Sequence, residues 1–282
     1  IDPNGTYVDV TFGGGGHSKS ILEKLDKGTL FAFDQDTDAQ KNSIDDNRFV
    51  LINQNFRFMQ KFLRLEGVLK VDGILADLGV SSYQFDTAER GFSIREEGEL
   101  DMRMNTTQEL SAKQVVNEYE LDDLCRIFRE YGELKNAYSL AKSILSAREN
   151  GEILTTEDLK EAVKKHVPPH KSNKILAQLF QAIRIEVNDE LKALKEMLLQ
   201  SVDLLKEGGR LSVISYHSLE DRLVKNLIKS GNFKGEIEKD FYGVPKIILK
   251  AISKKPITAS EEELESNPRS RSAKLRVSEK LA

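Results

Sequence analysis

The sequence predicts an α/β protein in which an open, doubly wound, mostly parallel sheet is interrupted by an inserted all-helical domain. Three observations carry this. Short apolar, β-rich runs alternate with helical patterns through residues 6–78, strand signal is absent over 111–165, and a buried strand pattern returns at 210–215. Alternation of this kind is what a parallel sheet covered by helices requires, because each crossover must bury an amphipathic helix on the sheet.

Taken in order, strands are expected at residues 6–12, 29–34, 48–53 and 71–78, with an amphipathic stretch at 58–65 between the last two. A polar loop rich in Gly and charge follows at 81–105. Residues 111–165 are helical throughout, with apolar spacing in Leu121, Leu124, Cys125, Ile127 and Phe128. Pro168 and Pro169 break the pattern, and one long amphipathic helix is expected over 174–206, ended by Gly208 and Gly209. A helix at 218–229 and strands at 246–252 and 273–277 complete the chain. The expected division is therefore residues 1–105 for the first part of the sheet domain, 106–172 for the helical insertion and 173–282 for the second part.

Composition narrows the function classes. The 282 residues are 39% hydrophobic with 18 Gly, enough for a full core plus a smaller unit. Charged residues make up 31%, yet the net charge is −4 and the sequence pI is about 5.8. A dedicated binder of free RNA carries a basic surplus, since phosphate neutralisation drives much of its affinity, so any RNA contact here must come from local patches. The single cysteine, Cys125, excludes a disulfide framework and a cysteine-rich zinc site. Nothing reads as a signal peptide or a long apolar run, which makes a soluble cytoplasmic protein the expectation.

The strongest local signal is Asp9-Val-Thr-Phe-Gly-Gly-Gly-Gly-His-Ser18, where a strand runs into four glycines and then a helix. Glycines there let the backbone turn tightly and approach a ligand, with a helix N-terminus facing it. Asp34 ends the second strand in Phe31-Ala-Phe-Asp-Gln-Asp36, where a carboxylate can accept from both ribose hydroxyls of a nucleotide-like cofactor. Asp36 and Asp38 read instead as caps of the next helix. Dinucleotide reductases share this layout. Tyr138-Ser-Leu-Ala-Lys142 even matches their Tyr-x-x-x-Lys spacing, but it falls inside the helical insertion with no strand before it and reads as two neighbours on a helix face.

The fourth strand ends in Asp77-Leu-Gly-Val-Ser-Ser82 at the carboxyl edge of the sheet, where open α/β folds place their chemistry. Together DVTFGGGGHS, DGILADLGVSS followed by QFDTAERGFS, ELDMRMN, FQAIRIEVNDEL, GGRLSVISYHSLEDRLVK and NPRSRSAKLR closely resemble the bacterial 16S ribosomal RNA cytosine N4-methyltransferases. The resemblance runs from Tyr7 nearly to the end. It implies a class I methyltransferase fold, Rossmann-like with a helical insertion, and S-adenosyl-L-methionine as cofactor. It also implies that Gly15, Gly16 and His17 line the methionine side, that Asp34 holds the ribose, that Phe56 stacks by the adenine, and that Asp77 and Gln84 complete the pocket. On residues alone Phe56 reads equally as core packing and Gln84 as a solvated loop residue.

A cytosine amine is a weak nucleophile because its lone pair is delocalised into the ring. Attack on a sulfonium methyl moves positive charge onto that nitrogen, so an acceptor beside it stabilises the transition state more than the ground state. Asp77 or a carbonyl of Leu78 to Val80 is the candidate acceptor. The loop departs from the Asp/Asn/Ser-Pro-Pro-aromatic pattern of other amino-methyltransferases, which leaves the two open. His217, in Ser215-Tyr-His-Ser-Leu-Glu-Asp-Arg222 after the fifth strand, can orient the base or shuttle a proton. The competing reading makes Ser218 and Asp221 a capping box that starts the helix.

No metal site is expected, since His166 and His170 flank two prolines and cannot share a helix face. Lys164, Lys165, Lys171 and Lys174 form one basic cluster and Arg269, Arg271, Lys274 and Arg276 another, candidates for phosphate contacts on 16S rRNA within the small subunit. The chain starts at Ile1, just before the first strand, without the leading segment that the resemblance implies. Two other classes remain in view: an NAD(P)-dependent reductase, and a ribosome assembly factor without chemistry.

Overall fold

The computed structural model describes residues 1–282. It resolves into two compact units, one formed by Ile1–Gly79 with Leu191–Ala282 and the other by Val80–Glu190. No helix is long and apolar enough to cross a membrane.

The first unit is built on a seven-stranded sheet with strands β1 (Thr6–Asp9), β2 (Thr29–Phe33), β3 (Phe49–Ile52), β4 (Val71–Asp77), β5 (Leu205–Ser215), β6 (Leu249–Ala251) and β7 (Lys274–Lys280). Their order is β3-β2-β1-β4-β5-β7-β6. The pairs from β3 through β5 are parallel, whereas β7 runs antiparallel to both β5 and β6. Side chains on β2 show why the sheet is covered on both faces. Phe31 and Phe33 join a cluster with Val8, Ile74, Met59, Leu63, Leu194 and Leu198, while Leu30 and Ala32 join another with Phe12, Leu22 and Leu25. Period-two alternation with both sets apolar is the signature of a sheet sandwiched between helices. Each such fully buried Leu or Phe contributes about 1.5–3 kcal/mol relative to an exposed one.

The second unit is helical, with Ala112–Glu118, Leu121–Glu130, Ala137–Arg148, Thr156–Val163 and Ser172–Asn188 as its main helices. The apolar spacing around Leu124 reappears as burial: Leu124, Ile127 and Phe128 are fully enclosed, and Cys125 is buried with them.

Three expectations change. The single helix over 174–206 is two, Ser172–Asn188 and Glu190–Leu204, separated at Asp189, whose φ of 48° ends the first. A left-handed residue cannot continue a helix, and an Asp tolerates that conformation better than most. Gly208 and Gly209 do not cap that helix but lie within β5, where pairing with β4 skips from Val71↔Leu205 to Gly73↔Arg210 and Gly208 adopts φ 75°. The helical unit also reaches beyond the expected 106–172. Phe92, Leu100, Met102 and Met104 from the polar loop and Leu176, Leu179, Phe180 and Ile183 from the following helix all bury in its core. Scattered apolar residues in a charged stretch show no periodicity, so their common destination was not visible in the sequence.

Candidate active site

The sheet reverses its winding between β1 and β4, both of which have neighbours leading away in opposite directions. At such a switch point the loops leaving adjacent strands diverge and open a crevice at their carboxyl ends. The loop after β1 and the loop after β4 meet there, because the Asp77 N–H donates to Thr11 Oγ1 at 2.6 Å.

The first loop carries the glycines. Gly13 and Gly15 adopt φ of 51° and 77°, conformations that other residues rarely take, and Gly15 precedes the helix Gly16–Leu22. A Cβ placed on Gly14 or on Gly16 would meet no atom within 4 Å, so bare backbone there faces open space. Beneath it Asp9 is fully buried, accepting from Ser18 Oγ at 2.7 Å and from the Thr11 N–H at 3.1 Å. Burial pushes its carboxyl above the usual range.

Asp34, beyond the end of β2, accepts from the Gly13 N–H through Oδ2 and from the Asp36 N–H through Oδ1, both at 2.8 Å. Desolvation raises its pKa to about 6 despite those two donors. The carboxylate thus holds the glycine loop in place, and each oxygen keeps a further lone pair for a hydroxyl. Asp36 does what its position suggests, capping the short helix Thr37–Asn42 through the Asp38 N–H at 3.1 Å.

Asp77, at the end of β4, has two partners. Its Oδ1 accepts from Tyr216 Oη at 2.9 Å, and its Oδ2 lies 3.4 Å from His17 Nε2. The hydrogen bond to Asp77 raises the His17 pKa against a smaller opposing effect of burial, so the imidazole carries its charge below that raised value and is a neutral partner of Asp77 above it. Tyr216 is pushed above the usual phenol range, first by burial and then by the neighbouring Asp77 charge. It follows β5 and packs close to Gly79, whose φ of 96° turns the chain away from β4.

Other expected residues fall into place differently. Phe56 is partly buried and packs against the apolar cluster of the sheet. Gln84 belongs to the helical unit, where its Oε1 accepts the Ser81 N–H in a capping box at the start of Ser82–Asp86. It is buried there, not the solvated residue that the loop reading expected. The cap of Ser218–Ser230 is not Ser218 with Asp221. Glu220 reaches back to the N–H groups of Tyr216 at 2.9 Å and His217 at 3.4 Å. Asp221 instead holds Arg276 at 2.6 Å and Lys274 at 3.7 Å, which ties up half of the tail cluster. The His217 ring is largely enclosed, with Nε2 3.2 Å from Glu220 Oε1 but not aligned for a hydrogen bond. Lys164, Lys165, Lys171, Arg269 and Arg271 are exposed, Lys164 pairing with Glu161 at 2.8 Å. Tyr138 is half exposed on the helical unit.

Sequence reasoning passed over Asp9, Thr11, Ser18 and Tyr216 as functional groups. The first three lie in the glycine motif itself, and Tyr216 stands beside His217. Their proximity in sequence was the only available signal, because the bonds that join β1, β4 and β5 span 66 and 139 residues.

A sheet with this strand order and a reversed β7, carrying a glycine turn and a carboxylate at its switch point, defines a class I methyltransferase. The model of the MraW methylase family matches residues 1–281, and the chain belongs to that family. The chain is similar to ribosomal RNA small subunit methyltransferase H of Flavobacterium johnsoniae, 60% identical over 282 residues that cover 100% of this chain and 93% of the relative. The enzyme of the same name from Bacteroides thetaiotaomicron is 52% identical over 281 residues, covering 99% and 92%. Among solved structures, an rRNA methylase from Streptococcus thermophilus matches at 13% identity with a TM-score of 0.41, covering 100% of this chain and 90% of that one.

Proposed function

We propose that this protein transfers a methyl group from S-adenosyl-L-methionine to the exocyclic N4 of a cytidine in 16S rRNA of the small ribosomal subunit, near the decoding region and in the cytoplasm. The observation that carries the reading is Asp77, held by Tyr216 and His17 at the sheet's switch point beside bare glycine backbone, in a chain that matches a methylase family from end to end.

The residues suit the cofactor. Open space over Gly14 and Gly16 leaves room for a ligand against the backbone, and Asp34 has acceptor capacity left for ribose hydroxyls. Gly15, Gly16 and His17 are assigned to its methionine side, Phe56 to the adenine, and Asp77 to the remainder of the pocket. When bound, it supplies an electrophilic methyl on a sulfonium.

Asp77 accepts a hydrogen bond from the cytosine amine, which directs the nitrogen lone pair toward that methyl. As positive charge grows on nitrogen the interaction strengthens, so the barrier falls more than the substrate's binding energy does. Tyr216 and His17 fix the carboxylate so that no reorganisation is needed at that moment. A protonated His17 competes with the amine for Asp77, which places the productive state above its raised pKa. Asp77 then takes the proton released by the methylated amine. His217 is assigned to orienting the base, and full methylation by His217→Ala would remove it from this account. Lys164, Lys165, Lys171, Arg269 and Arg271 are assigned to rRNA phosphates.

The reductase reading has no support, because Tyr138 and Lys142 sit on a helix of the second unit without a strand before it. Transfer of labelled methyl to purified small subunits tests the proposal, with titrations of S-adenosylmethionine and NADPH alongside. Label appearing at a cytidine N4 is expected. Cofactor binding without any transfer would overturn it in favour of a noncatalytic assembly role.

A further inference from the structure

The segment after Ser218–Ser230 belongs to no part of the site described above. The chain leaves that helix at Gly231, with φ 71°, and forms an arm closed by an isolated bridge between Lys239 and Pro245. Its base is pinned by Asn226 Nδ2, which donates to the Phe233 carbonyl at 2.9 Å, and by Asn232, whose Oδ1 accepts the Gly235 N–H at 3.0 Å. Its tip is pinned by Asp240. That carboxylate accepts the N–H groups of Tyr242 and Val244 at 2.9 and 2.8 Å, and the Asp240 N–H donates to the Val244 carbonyl at 2.9 Å.

This turn lifts two aromatic rings into water. Phe241 is 96% exposed and Tyr242 86%, packed edge to face with centroids 5.5 Å apart. Two solvated rings gain on covering, and a turn already held by hydrogen bonds loses little entropy when they are covered. The surroundings indicate what covers them. Lys234, Lys239, Lys246, Lys250, Lys254 and Lys255 are all exposed along this stretch, against Glu236, Glu238 and Asp240. None of these lysines forms an ion pair, unlike Lys274 and Arg276, which Asp221 holds. On a chain of net charge −4, a local cationic surplus around exposed rings matches a polyanion with flat apolar faces.

We propose that the Phe241–Tyr242 tip is a stacking platform for unpaired bases of an RNA strand, with the flanking lysines along its phosphates. The proposal rests on the rRNA reading above and adds to it a second contact surface, distinct from the residues around Asp77. Every base has a face to stack, so the contact supplies affinity for single-stranded RNA without selecting sequence.

The chain contains no tryptophan, so Tyr242→Trp places a single indole at the tip. A single-stranded oligoribonucleotide should quench its emission, the corresponding duplex should do so weakly, and added salt should weaken the effect. Phe241→Ala in that background should reduce affinity about tenfold. The double variant Phe241→Ala/Tyr242→Ala should raise KM for small subunits with kcat and S-adenosylmethionine affinity retained. No quenching by RNA, or an unchanged KM in the double variant while the unmodified protein methylates small subunits, overturns the platform and leaves the proposed function standing. Emission that shifts with protein concentration in the absence of RNA, with dimers in sedimentation, overturns it in favour of a second copy of this chain. Quenching by RNA from a protein that transfers no methyl keeps the platform and removes the catalytic reading.

Discussion

The two units bury polar groups in opposite ways. In the helical unit they are mostly neutral and paired with backbone groups. Asn188 spans the Met104 N–H at 2.7 Å and the Met102 carbonyl at 2.8 Å, Gln84 closes a capping box, and Thr156 donates to the Glu96 carbonyl at 3.0 Å. The sheet unit instead gathers acids at one edge: buried Asp9 and half-buried Asp34 with raised pKa values, and half-buried Asp77 between a tyrosine and a histidine. Burying a carboxylate costs stability wherever its hydrogen bonds do not repay the lost hydration. One unit is therefore arranged for packing, and the other accepts a penalty where a charged ligand and a developing charge have to be met.

The contrast can be broken at several points. The largest expected effect is in the helical core, where Phe128→Ala should cost about 3–5 kcal/mol of stability by leaving a cavity, read from denaturant unfolding. A loss below 1 kcal/mol would mean that the core is not close-packed. Asp77→Asn should reduce methyl transfer about 100-fold or more while leaving thermal unfolding nearly unchanged, the reverse of the core variant. Turnover at the level of the unmodified protein would remove Asp77 as acceptor and return the role to the carbonyls of Leu78 to Val80.

The next effect concerns pH. Asp34 has a folded pKa near 6, above the ordinary 3.8, so the fold binds its proton more tightly than the unfolded chain does, and stability falls as pH rises from about 4 to 6. Ligand hydroxyls need the ionised form. Cofactor affinity should accordingly weaken up to about tenfold per unit below pH 6, and calorimetry across pH 5 to 7.5 measures it. An affinity flat over that range would show that Asp34 does not accept from the ligand. Tyr216→Phe removes a single hydrogen bond to Asp77 and should slow transfer about five- to tenfold with KM for the cofactor held. A change confined to stability would make Tyr216 a packing residue. The smallest effect is expected for Lys164→Ala, whose solvent-screened pair with Glu161 adds little to stability, although affinity for small subunits should still drop if the lysine meets phosphate.

Sequence alone determined the elements whose signals are local. The strand, glycine turn and helix around Asp9 to Ser18 follow from alternation and from positions that only glycine adopts easily, and Asp34 is marked by its place at the end of β2. The interruption of the sheet was legible too, since a helical period without strand signal needs no partner to be seen. Only the tertiary structure decided which units the loop at 81–105 and the helix Ser172–Asn188 join, where Asp189 turns the chain, and that Tyr216 and His17 converge on Asp77. Those outcomes depend on residues brought together across 60 to 139 positions. Pattern within a window carries no information about such pairs, because packing, not periodicity, selects them.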